Sequence, residues 1–210
     1  MGYLIIITIV TLAIYPVIGH WVWGGHFAQS TVGWLEKSGF TDFAGATVVH
    51  VTGGAVALAA LVIIGARKGR FDSGSSNFRG QSMVTSIVGV LFLWVGWFGF
   101  NGGNSFLQQE LLPVILVNTA LAGAAGGCSV LILSLFLSSR VNVLNVGNGI
   151  LAGLVSVTAG CHILTLEAAV LVGMISGLIV LLLPALLERV NWMMRLAQFL
   201  SISVVGSGAQ

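Results

Sequence analysis

His50 is an ionisable side chain set inside an apolar run, Phe43-Ala44-Gly45-Ala46-Thr47-Val48-Val49 before it and Gly53-Gly54 one turn after it. A neutral imidazole donates from one ring nitrogen and accepts at the other. It can therefore line a narrow path for a small hydrogen-bonding solute, relay a proton, or bond across a helix contact for packing alone. His50 is the eighth residue after Asp42, which at an ordinary helical rise places it roughly 12 Å into a bilayer, close to the midplane. The Asp42 carboxylate stands where the run begins. It can accept a hydrogen bond from a free amide of the first turn, and it suits the positive end of the helix dipole.

Aromatic residues gather in two further places. His20, Trp21, Trp23 and His26 surround Gly24 and Gly25; Trp21 reads as an anchor at the membrane–water boundary, and Trp23 is a candidate to attract a cation to its ring face. Leu93-Trp94-Val95-Gly96-Trp97-Phe98-Gly99-Phe100-Asn101-Gly102-Gly103-Asn104 carries an aromatic belt into a polar loop, where Phe100 could cap a cavity. Glu110 and Glu167 read as helix-dipole partners, and Asn118 and Thr158 as interhelical hydrogen-bond partners. His20, His26 and His162 are expected to titrate in solvent at the outer surface. No carboxylate or cysteine accompanies them at ligand spacing, so no metal is expected, and Cys128 and Cys161 can form at most one disulfide. Nucleophile elbow, phosphate loop, dinucleotide fingerprint and paired carboxylates are all missing from the sequence, so neither an enzyme nor a cofactor is expected.

The elements that must position these residues are membrane helices. Of 210 residues, 57% are apolar and 7% charged, with a mean hydropathy of +1.04. That excludes an ordinary soluble domain and a disordered chain, and a net charge of +2 excludes a nucleic-acid partner. Six spans are predicted: about Tyr3 to Gly19, with Pro16 bending or ending it; Asp42 to Ala66; Gly80 to Phe100; Leu111 to Leu137; Leu144 to Ala159, the shortest; and Leu166 to Leu187. With the N-terminus inside, Arg67, Lys68, Arg70, Arg79, Arg140, Arg189 and Arg195 fall on the cytoplasmic side and only Lys37 on the other. Both termini of this multi-pass chain are therefore expected in the cytoplasm. From about Val190 a short mixed helix, Trp192 to Leu200, is expected at the interface.

Three blocks in order, His20-Trp21-Val22-Trp23-Gly24-Gly25, Asp42 through His50, and Gly96-Trp97-Phe98-Gly99-Phe100-Asn101, resemble the ammonium transporter family, the Amt/Mep/Rh group. Val117-Asn118-Thr119 and Leu151 through Thr158 support the match. The resemblance covers the stretch to about residue 190, an incomplete transporter-like domain, and leaves 191–210 as a cytoplasmic or interfacial tail. It implies an all-α polytopic bundle corresponding to the fourth through ninth of eleven helices, from two inverted halves, in a homotrimer with one pore per subunit. It further implies ammonium as substrate and the cell membrane as location. Carried over residue by residue, Trp23 matches an aromatic of the outer recruitment site, Asp42 the acid that organises the pore entrance, and His50 the first of two pore histidines. Phe100 matches one of two stacked gating phenylalanines and Trp97 a neighbouring pore aromatic. Asn104, or Ser105 beside it, falls where many members have a recruitment-site serine. The second pore histidine and the other gating phenylalanine belong to family helices outside this stretch. The residues between Gly25 and Asp42, and Gly160-Cys161-His162, resemble the branch of the family fused to signalling domains, so ammonium sensing stands beside transport, and a non-conducting remnant beside both.

Overall fold

The computed structural model describes residues 2–26, 31–64, 82–105, 109–137 and 141–189. Within these, the chain forms α1 (Gly2–Trp23), a single turn α2 (Trp34–Lys37), α3 (Ala46–Ile64), α4 (Met83–Gly102), α5 (Gln109–Leu137), α6 (Val143–Val157) and α7 (Leu166–Arg189). Five of these are long and apolar enough to cross a membrane, and α6 is the short one. Five of the six expected spans are thus present as membrane-length helices, and the sixth as the shorter apolar helix α6. The expected helix at Trp192 to Leu200 and the tail lie outside the described residues.

Two boundaries differ from expectation. Pro16 does not end the first span, which continues to Trp23. Proline lacks an amide and its ring crowds the carbonyl four residues back. The turn just before it, Val10–Ile14, is π-helical, with the Tyr15 amide bonded to the Val10 carbonyl. That wider turn makes room for the ring and keeps the neighbouring groups bonded, as interrupted membrane helices require. The second span begins at Ala46 rather than Asp42, because Gly45 takes φ +103° and breaks the helical path. Its first turns, Ala46–Val51, are also π-helical: the Gly45 carbonyl accepts from both the Val49 and His50 amides, at 2.9 and 3.1 Å. His50 therefore stands four residues into its helix instead of eight.

Polar caps set the starts of two other helices. Ser82 accepts from the Thr85 amide at 3.2 Å ahead of α4, and Asn142 from the Leu144 amide at 3.0 Å ahead of α6, each satisfying an amide that the first turn leaves free.

The heart of the fold is the trio α5, α6 and α7, against which α4 leans; α1 meets the start of α3. Small residues make the trio possible. The Ala122 carbonyl of α5 lies between Gly153 of α6 and Gly173 of α7, and a Cβ on either glycine would overlap that oxygen. Around this contact Ile115, Ala122, Val157, Cys161 and Ala169 form a fully buried cluster, with Phe43, Leu111 and Leu164 packed on its edge. By contrast Leu12 on α1, Ile63 on α3 and Phe92 on α4 are exposed. Apolar faces this extensive require a lipid or protein cover.

Candidate functional site

The site assembles where the end of α1, the start of α3, the C-terminal part of α4 and the turn between α6 and α7 meet. Asp42 is buried, and its carboxylate is saturated by backbone: Oδ1 accepts from the Gly45 and Ala46 amides, both at 2.9 Å, and Oδ2 from Thr47 and Val48 at 2.8 and 2.9 Å. The free amides of a helix start and a carboxylate are natural partners. The four bonds are reachable because Gly45 turns the chain back over the acid. Trp23, the last residue of α1, donates from Nε1 to the Asp42 carbonyl at 2.6 Å. Its ring sits so close to Gly45 that a Cβ there would meet it at 3.2 Å.

Below this cap, His50 faces α4. Its ring stacks on Trp97, with centroids 5.2 Å apart and planes at 12°, and it lies 5.8 Å from Phe100; Trp97 and Phe100 are 5.6 Å apart. The three rings thus form one closed contact. His50 Nε2 is buried and has no hydrogen-bond partner, which costs free energy unless something else supplies a donor or acceptor. Trp97 is oriented by Thr158, which accepts from its Nε1 at 2.9 Å while donating to the Leu154 carbonyl at 2.7 Å. Asn101 is fully buried and donates to Thr119 at 3.0 Å, fixing the C-terminal end of α4 to α5.

The sequence-derived residues fall into two groups. Trp23, Asp42, His50, Trp97 and Phe100 are brought together as a cap and a ring cluster. Asn104 is exposed and donates to the Phe100 carbonyl at 3.1 Å, closing off α4; no described bond or ring contact joins it to Trp23 or Asp42. Asn118 and Thr158 bond between segments as expected: the Asn118 amide group donates to the Cys161 and Leu164 carbonyls at 2.9 and 2.8 Å. Trp21 is exposed and meets Trp34 edge-on at 5.8 Å.

His162 departs from expectation. It is stacked on Phe43, with centroids 4.2 Å apart, and its Nδ1 is buried without a partner, so it is not a solvent-bathed side chain. Burial lowers its pKa, and burial pushes the neighbouring Cys161 thiol up to about 12. Both cysteines are free. The hint in the sequence was its place between two apolar neighbours, Cys161 and Ile163. Among the described residues, an open apolar groove lined by Leu121, Leu166, Glu167, Val170 and Leu171 holds none of the cap or ring residues.

The sequence profile of the Ammonium Transporter Family matches residues 1–192. The chain belongs to this family. It is 42% identical over 198 residues to a putative ammonium transporter of Synechocystis sp., covering 90% of this chain and 43% of that protein. It is 37% identical over 190 residues to ammonium transporter Amt2 of Archaeoglobus fulgidus, covering 84% and 39%. Among solved structures, it resembles a Sensor Amt Protein with a TM-score of 0.82 at 38% identity, covering 88% of this chain and 46% of that one. Mep2 of Candida albicans follows with a TM-score of 0.73 at 29% identity, over 83% and 38%. The chain spans less than half the length of each of these relatives. Membership makes this an Amt-like membrane bundle, and the relatives named by activity are transporters rather than enzymes.

Proposed function

We propose that this chain supplies the outer recruitment cap and one wall of the pore of an ammonium transporter, working in a homotrimer in the cell membrane with both of its ends cytoplasmic. The observation that carries the reading is the contact of His50 with Trp97 and Phe100, with His50 Nε2 buried and unpartnered. In this reading ammonium is drawn to the aromatic face of Trp23, with Asn104 on the rim. Asp42 acts by shape: with both oxygens occupied, it holds the α3 start beneath the cation instead of binding it. Phe100 closes the path above His50, and Trp97 keeps the imidazole in line. A desolvated ion crossing an apolar lining costs far more than neutral ammonia, so the proton leaves before the pore. His50 Nε2 then offers the passing molecule a hydrogen-bonding group inside that lining.

A second reading is an ammonium-sensing domain, favoured by the match to a Sensor Amt Protein. Sensing requires two helix arrangements of different ammonium affinity rather than flux. The full-length protein in liposomes separates the two. Transport predicts accumulation of radiolabelled methylammonium above empty liposomes. Accumulation at background, together with an ammonium-dependent change in tryptophan fluorescence, would overturn transport in favour of sensing.

A further inference from the structure

His162 has no part in the reading above, yet its ring bears directly on the segment that shapes the cap. It lies face to face with Phe43, planes 19° apart, and Phe43 directly follows Asp42. The Phe43 amide also donates to the Ala159 carbonyl of the same turn at 3.2 Å, and Asn118 pins that turn on both sides of His162. The histidine is thus held still while its ring covers one side of Phe43. Phe43 also packs against the buried cluster of Ile115, Ala122, Val157, Cys161 and Ala169.

This arrangement suits a neutral imidazole only. A proton added to the ring makes both nitrogens donors, and the buried Nδ1 has no acceptor. The titratable groups on the surrounding segments are Asp42, His50, Glu110, Cys161 and Glu167. Asp42 is saturated by amides, Cys161 stays a thiol, and no hydrogen bond or ion pair among the described residues joins any of these groups to His162. Nothing there compensates an imidazolium.

We propose that His162 is a proton-operated latch: neutral, it clamps Phe43 and so the Asp42 cap; protonated, it leaves Phe43 and loosens the cap. The direction follows from burial, which lowers the pKa of the stacked state below that of a released ring, about 6.5. The clamp is at full strength above the released value and weakens as pH falls below it toward the lowered one.

The latch rests on this geometry and not on permeation, so its test reads the cap itself. Amide hydrogen exchange of residues 45–48 is followed on the full-length protein in lipid nanodiscs between about pH 7.5 and about pH 5.5, corrected for the intrinsic pH dependence of exchange. In the wild type, protection should drop on acidification by up to about tenfold, the limit set by the roughly one unit between the released value of about 6.5 and about pH 5.5. His162→Phe keeps a stacking ring without a titrating group and should hold its protection throughout. His162→Ala lacks the ring and should show the loosened level at both pH values. Equal pH profiles in wild type and His162→Phe, or a wild-type protection that ignores pH, would overturn the latch. A pH-dependent exchange that His162→Phe abolishes upholds it even where methylammonium uptake is nil, which would instead count against transport.

Discussion

Trp97 lies almost parallel to His50, 12° between planes, while its indole nitrogen is bonded to Thr158 on the far side. One hydroxyl from the α6–α7 turn therefore sets the angle of the ring that faces His50.

Thr158→Val should leave the Trp97 N–H without its acceptor and cost about 1–3 kcal/mol of stability. Methylammonium uptake should fall with it, while Thr158→Ser retains both. Thermal unfolding in detergent and uptake in liposomes check the pair. A Thr158→Val protein that unfolds and transports like the wild type would show that the bond positions nothing.

Asp42→Ala removes the acceptor of four amides at once. A loss of about 3 kcal/mol or more is expected, since each buried amide without a partner is costly, and uptake should vanish. Asp42→Asn should fall between, because one of its two positions becomes a donor facing donors. Unchanged uptake in the alanine variant would remove Asp42 from the account of the pore entrance.

Much of this could be read from residue types. A histidine in an apolar run, an acid ahead of it and tryptophans at a boundary are conspicuous because each needs a reason in a membrane. What escaped the sequence depends on contacts distant in the chain or on backbone geometry. His162 looked like a surface residue because its partner Phe43 is far from it in sequence. The true start of α3 was hidden because the left-handed turn at Gly45 is one of several things a glycine permits. Pro16 was expected to bend or end its span, and the π turn that carries the helix past it leaves no mark in the residues around it. Asn104 matched by position yet spends its amide on the carbonyl of Phe100.

Gly45→Ala tests the turn. The backbone sits at φ +103°, and a methyl group would come within 2.6 Å of Val49 Cγ2. Left-handed strain plus this clash should cost about 1–3 kcal/mol and lower uptake along with the melting temperature. Tolerance of alanine without either effect would mean that the cap does not need this conformation.

His50→Cys, made after Cys128 and Cys161 are replaced by serine and alanine, tests the direction of the side chain. A small charged thiol reagent added in water should modify it, and ammonium should slow the reaction. Modification by a lipid-soluble maleimide alone would place the residue against acyl chains.

The Ala122 carbonyl, held between two glycines from different helices, gives the molecule a single pivot shared by three backbones. None of the three can slide without moving the other two, so the bundle behaves as a fixed post from which Thr158 and His162 project. Relative motion among the described helices is then expected between α1, α3 and α4 and that post, and labels meant to detect it belong on those helices.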